Sequence, residues 1–250
     1  MEAEIKSLTK AFNIIAYLSE CTSPVSLSAI AANCSLPTST AHRILNSLVS
    51  LGYVKGDKYG QYCLSLKLFE LSSRVATSNR VVSIVKPHLE DLSIALNISA
   101  HLVVRDGLGI VHLFNVAKPT GQIQLSARIG NRVEMYCTAV GKAILSTLPD
   151  EEIRKVLSQV DLAQRGPNTI TDPEALLCNI QAVRTCGYAI DDEENEESIR
   201  CIGVPLANLG GDATYAFSVS SLAPHMTDDK ISHIAQAMLS TKEAILADLF

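Results

Sequence analysis

Apolar residues recur at helical spacing along the first third of the chain. Ala11, Ile14, Ile15 and Leu18 set one apolar stripe on residues 7–21, a predicted helix broken by Thr22, Ser23 and Pro24. Ser26 reads as the N-cap of a short second helix that turns Leu27, Ile30 and Ala31 inward. After the turn NCSLP comes LPTSTAHRILNSLVSLGYV, residues 36–54. On a helical wheel Ile44, Leu45 and Leu48 fall within about 60° of Ala41. Gly52 supplies the left-handed residue that ends this third helix. Tyr53–Val54 and Tyr62–Cys63–Leu64 are β-prone runs around a turn with Gly and Lys, a hairpin signal. Three short helices and a hairpin make a winged helix-turn-helix. A further helix runs from Leu66 to about Asn79, with Leu68, Leu71 and Val75 apolar.

Beyond residue 80 the pattern mixes periods. Val81 to Leu96 is helical around Pro87, and AHLVVRDGLGIVHLFNV reads as strand, Gly-rich turn and strand. A strand is expected over 123–128, then helices in TAVGKAILSTL and DEEIRKVLSQV. DPEALLCNIQAVRTCGYAID is a capped helix, a Gly stop and a strand start. CIGVPLANLGGDATYAFSVSSL is two strands around a Gly-Gly-Asp turn, and residues 227–250 close the chain as an amphipathic helix. Antiparallel hairpins with helices predict an α+β domain. The expectation is a mixed α/β chain with a winged helix-turn-helix at 1–65, a linker helix at 66–80 and an α+β domain at 81–250.

Composition sharpens this division. Of 250 residues, 47% are hydrophobic and none is Trp, so the core is aliphatic. Residues 1–80 carry eight Lys/Arg against five Asp/Glu, and the remainder thirteen against twenty-one, within a net charge of −5. A basic front and an acidic back suit different partners. The seven Cys form no CxxC, the N-terminus lacks an apolar signal core, and no apolar run approaches the roughly 20 residues of a membrane span. A soluble, reduced, cytoplasmic protein without a membrane partner is expected.

The polar face of the third helix carries Ser39, Arg43, Asn46 and Ser50, flanked by Thr40, His42 and Ser47. It fits an ordinary solvated surface, and equally a slim face entering a major groove. The helical order, the hairpin and the basic charge favour DNA. Arg43 then pairs with guanine or phosphate and Asn46 with adenine. Thr38, Ser39 and Thr40 meet phosphate at the helix N-terminus, and Lys55 and Lys58 reach the backbone from the hairpin.

In the back half, Thr138 starts a helix whose first N–H groups, at Ala139 and Val140, suit a carboxylate. The same spacing fits a plain structural cap beside a solvated Lys142. The VGK here is no phosphate loop, because Tyr136 stands where its first Gly would fall and Ala143 replaces Ser/Thr. DDEENEE, residues 191–197, lacks the Gly and alternation of a calcium loop and reads as a solvated acidic turn. Cys201 reads as a small buried apolar residue. Ser218 and Ser220 share one strand face, open to either solvent or a ligand. The hairpin brings His101 and His112 within reach of each other, but no tight metal-ligand pair such as HxH or HExxH occurs. No nucleophile elbow or triad signature is present. No catalytic residue, metal ligand or cofactor is therefore assigned.

The layout resembles the IclR family of bacterial transcriptional regulators over nearly the whole chain. SLTKAFNIIAYLSE, SLSAIAANCSLPTSTAHRILNSLVSLGYV and YCLSLKLFELSSRV match in front. ARIGNRVEMYCTAVGKAILSTLP, CGYAIDDEENEESIRCIGVPL and TYAFSVSSLAP match, in order, in the back. The resemblance implies a GAF-like effector-binding domain and dimers or tetramers on palindromic operator DNA. It further implies a repressor of a catabolic operon answering to a small carboxylate, with wording closest to the subgroup that senses sugar acids. It implies an effector pocket at Thr138, Ala139 and Val140, with Asp191 at a strand end, Cys201 facing the effector, Ser218 and Ser220 beside it, and Gln122, Leu125 and Val133 as walls. The chain departs from the pattern at Tyr136, where many members have His. Two other readings compete: a redox or metal sensor using Cys137 and Cys201, and a small-molecule enzyme with an accessory DNA-binding module.

Overall fold

The computed structural model describes residues 5–77, 80–120, 127–207 and 213–249, with the backbone alone at 74–77. Its contacts separate two compact units, residues 1–78 and 79–250.

In the first unit, helices α1 (Lys6–Glu20), α2 (Leu27–Asn33) and α3 (Thr38–Ser50) close over Ile14, Leu18, Ile30, Leu45, Leu48 and Val54. The Ser26 hydroxyl caps α2 by accepting from the Ala29 N–H at 3.3 Å. Gly52 takes φ +80°, and the Tyr53 N–H returns to the Leu48 carbonyl, which terminates α3. The wing is a sheet in the order β1 (Val25–Ser26), β3 (Gln61–Leu64), β2 (Val54–Gly56). The two-residue β1 was not expected, because a pair of residues carries no period and only β3 supplies its partner. α4 (Leu66–Thr77) follows and clamps the end of α3. Lys67 Nζ donates to the Leu51 carbonyl at 2.7 Å and lies 4.8 Å from the centre of the Tyr53 ring, while the Ser65 hydroxyl donates to the Gly52 carbonyl.

The second unit begins with α5 (Arg80–Leu96), which runs through Pro87 without ending. Among the described residues a six-stranded antiparallel sheet has the order β6 (Arg132–Glu134), β5 (Gly109–Val116), β4 (Ser99–Asp106), β9 (Tyr215–Leu222), β8 (Ile199–Leu206), β7 (Ala189–Asp192). α5 and α9 (Asp228–Leu249) cover one face through Leu89, Leu92, Leu102, Phe217, Val219 and Met238. α6 (Ala139–Leu145), α7 (Asp150–Leu157) and α8 (Pro173–Cys186) build the other core with Val103, Ile110 and Ala216. β6 was not expected. The strand expected over 123–128 and the Gly-Gly-Asp turn fall largely outside the described residues. No helix among the described residues is long and apolar enough to cross a membrane.

The start of α6 presses directly onto β8. A Cβ at Gly203 would sit 2.5 Å from the Ala139 carbonyl carbon and 2.7 Å from the Val140 nitrogen. Backbone cannot yield there as a flexible side chain can. Gly203→Ala is therefore expected to lower unfolding free energy by about 1–3 kcal/mol in urea titrations; a change under about 0.5 kcal/mol would contradict this packing.

Candidate functional site

Two surfaces carry chemistry, one in each unit. On α3 the apolar residues Ala41, Leu45 and Leu48 are buried, so the opposite face points outward. Thr38, Ser39, His42, Arg43 and Asn46 are exposed and Thr40 is half-buried. Lys55 on β2 and Lys58 in the wing turn are exposed as well, Lys58 lying 5.0 Å from the centre of the Tyr59 ring. Each side chain predicted to meet DNA thus lies on α3 or the wing of one unit.

The second unit holds a cavity of about 390 Å³ between the sheet and the start of α6. Its wall brings together Val133, Thr138, Ala139, Val140, Asp191, Cys201, Ser218 and Ser220 from the sequence-based set. Gln122 and Leu125 lie outside the described residues. Strand register explains the grouping. Asp191 pairs with Cys201 and Cys201 with Ser220, making one row across β7, β8 and β9. Gly203 pairs with Ser218 and Ser218 with His101, making the next row. Thr138 caps α6: its hydroxyl accepts from the Gly141 N–H at 3.2 Å and donates to the Glu134 carbonyl at 2.7 Å. A helix leaves its first N–H groups without intrahelical partners, and Ala139 and Val140 supply them at the cavity wall.

The acidic segment behaves differently from a solvated turn. Asp191 and Glu194 are buried, and Lys142 is wholly buried with its ammonium paired to the Glu194 carboxylate. Asp191 Oδ1 accepts the N–H of Glu194 at 2.9 Å and of Asn195 at 3.3 Å. Gly166 lets another loop lie against the backbone of Glu193 and Glu194. Sequence spacing did not reveal this because Lys142 and Glu194 stand 52 residues apart. Asn195, Glu196, Ile199, Asn131, His101 and His112 also line the cavity and were not assigned to it from sequence. The predicted approach of the two histidines across the hairpin was the available signal for that pair.

The two thiols considered for a redox role, Cys137 and the cavity-lining Cys201, sit where burial disfavours the thiolate. Burial pushes the Cys137 thiol up to about 12, with Asp191 adding to the effect. Burial likewise raises Cys201, whose sulfur shares a 3.1 Å hydrogen bond with the Ser220 hydroxyl. A redox sensor needs the opposite shift, so this geometry disfavours the thiol-based reading.

Comparison with known proteins agrees over both units. Residues 7–58 match the family model described as the IclR helix-turn-helix domain, and residues 73–247 match that described as bacterial transcriptional regulator IclR C-terminal. The chain is 30% identical to the HTH-type transcriptional regulator KdgR of Escherichia coli strain K12, covering 95% of this chain and 89% of that protein. It is 30% identical to the HTH-type transcriptional regulator KipR of Bacillus subtilis strain 168, covering 85% and 84%. The crystal structure of the Thermotoga maritima IclR superposes with a TM-score of 0.79 at 32% identity, covering 98% of this chain and 99% of that one.

The cavity groups oppose one another in pH dependence. Burial pushes Asp191 up from 3.8 to about 7, so the folded state keeps a proton that the unfolded chain releases, and its contribution falls as pH rises through that window. Burial, and then repulsion by His101, pushes His112 down from 6.5 to about 4, so its contribution rises with pH between those values. Asp191→Asn keeps an acceptor for both N–H groups and removes only the first trend. Its urea midpoint is expected to climb more steeply than wild type between pH 4 and 6.5; a flatter profile would refute the assignment.

Proposed function

The chain belongs to the IclR family of bacterial transcriptional regulators, and from that premise we propose a cytoplasmic repressor whose hold on operator DNA is set by a small carboxylate or sugar acid. The observation carrying the effector half is the convergence of α6 N–H groups and the Ser218 and Ser220 hydroxyls on one cavity. Such donors match a carboxylate. Asp191 and Glu196 supply acceptors for hydroxyl groups on the same ligand. Thr138, Ala139, Val140, Asp191, Cys201, Ser218, Ser220 and Val133 are the contacts assigned to the effector.

On the DNA side α3 is assigned to the major groove, with Arg43 and Asn46 reading bases and Ser39, Thr40, Lys55 and Lys58 holding phosphates. One recognition helix spans few base pairs, so a two-fold dimer on a palindrome is the expected form. Support comes from Ile5 just before α1, Leu8 and Phe12 on α1, and Leu66 and Phe69 on α4, all exposed apolar residues of the first unit. α4 is assigned as the lever. Through Lys67 and Ser65 it grips the end of α3, so displacing α4 displaces the reading helix. The effector acts by differential affinity for the two spacings of the paired winged helices.

Thermal unfolding against a panel of pyruvate, glyoxylate, aldonates, keto-deoxy sugar acids and aromatic acids tests the effector half. At a hundredfold excess over Kd a true ligand adds about 2.7 kcal/mol of stability; silence across the panel would reject the carboxylate class. Arg43→Ala is expected to weaken binding to the operator by about 1–3 kcal/mol while leaving ligand-induced stabilisation intact. Equal loss on unrelated DNA would make Arg43 a phosphate contact instead. Phe12→Glu combined with Phe69→Glu is expected to yield smaller assemblies by light scattering with unchanged circular dichroism; unaltered mass would reject this dimer face.

A further inference from the structure

The histidine pair in the cavity is created by an irregularity in one strand. β4 and β5 pair His101 with Asn115 and Leu102 with Phe114, and then Val103 with His112, so Leu113 is an extra residue in β5. Regular alternation would put His112 on the face of Phe114, which packs against the core under α5 and α9. The bulge instead turns His112 onto the face of Val103 and Ile110, where its ring stands perpendicular to that of His101 with centroids 5.9 Å apart. Bulges beside sites commonly re-aim a side chain in this way. Both rings line the cavity.

We infer that His112, together with His101, reads a hydroxyl group on a monocarboxylate effector and so selects hydroxy acids over their deoxy counterparts. This rests on the carboxylate reading above. His112 is 8% exposed, and its Nδ1 has no hydrogen-bond partner among the described residues. A buried unpaired nitrogen is a standing cost, which a turn of the ring towards a polar ligand in the cavity would remove. The tautomer of His101 follows from its neighbour. Asn115 Nδ2 donates to the Ala127 carbonyl, which turns Oδ1 towards His101, and Nδ1–H donates to it at 3.0 Å. The neutral His101 ring then keeps Nε2 as an acceptor. Burial holds both imidazoles below the usual histidine range, so neither supplies a positive charge near neutral pH. A hydroxyl, which donates and accepts at once, complements such a pair.

A second carboxylate does not. No Lys or Arg lines the cavity among the described residues, whereas Asp191 and Glu196 do. The segment GQIQLS at 121–126 contains no ionisable side chain. Among the described residues no group of three or more His, Cys, Asp or Glu is placed to hold a metal ion.

The test is calorimetric titration of the full-length protein with matched acids: gluconate and hexanoate, 3-hydroxybutyrate and butyrate, 4-hydroxybenzoate and benzoate, with adipate as a dicarboxylate. In at least one pair the hydroxylated acid is expected to bind at least about tenfold more tightly, and adipate to bind no better than hexanoate. His112→Leu is expected to bring that ratio within about twofold by weakening the hydroxylated acid, and His112→Asn to retain part of it. Continued binding of the deoxy acid and an unchanged circular dichroism spectrum show that the variant is intact. Equal binding of both members to wild type, or a ratio that survives His112→Leu, would overturn the inference and leave the carboxylate reading standing. Binding that depends on added Zn²⁺ would overturn it by assigning the imidazoles to a metal. If no acid of any pair binds, the carboxylate reading falls and this inference with it.

Discussion

The cavity of the second unit depends on a buried ion pair. Lys142 on α6 and Glu194 in the loop after β7 meet inside the second unit, where an unpaired charge would cost several kcal/mol. The pair ties the loop to the helix. Asp191 then accepts the N–H groups of Glu194 and Asn195, and Asn195, Glu196 and Ile199 are held at the cavity wall. Gly203 and Gly166 make the same arrangement sterically possible by admitting backbone where a Cβ would intrude. Stability and site shape therefore rest on the same residues. Lys142 and Glu194 neutralise each other behind the wall, which carries Asp191 and Glu196 beside neutral donors and acceptors.

The first unit solves a simpler problem. Its core of Ile14, Leu18, Ile30, Leu45 and Leu48 orients α3 so that Ser39, His42, Arg43 and Asn46 face outward. α4 adds a mechanical link, because Lys67 satisfies a carbonyl at the end of α3 that would otherwise face water. The helix assigned to DNA and the helix assigned to signalling thus share hydrogen bonds. That is the minimum needed for a change at one to be felt by the other.

Local chemistry was readable where a short-range rule governs it. The stripe through Ala41, Leu45 and Leu48 predicted which face of α3 is buried, and Ser26, Thr138 and Asp172 each cap the helix they precede. Gly52 and Gly187 take left-handed conformations at helix ends, as their positions suggested. The alternation of Ser218 and Ser220 places both on the cavity face of β9. The sequence by itself therefore determined the helices, most strands, the winged helix, the family and the greater part of the cavity residues.

Tertiary structure decided what depends on partners distant in the chain. Lys142 and the acidic segment each read as solvated, because Lys142 and Glu194 stand 52 positions apart and nothing between them indicates that they meet. β1 and β6 exist through pairing with β3 and β5, and segments of two and three residues carry no period of their own. The sheet face that His112 takes is the sharpest case, although the hairpin itself foretold its approach to His101. Strand parity assigns it to the apolar core, and the single extra residue Leu113 reverses that parity. A pattern of period two cannot announce its own interruption; only the register of the paired strand records where it falls.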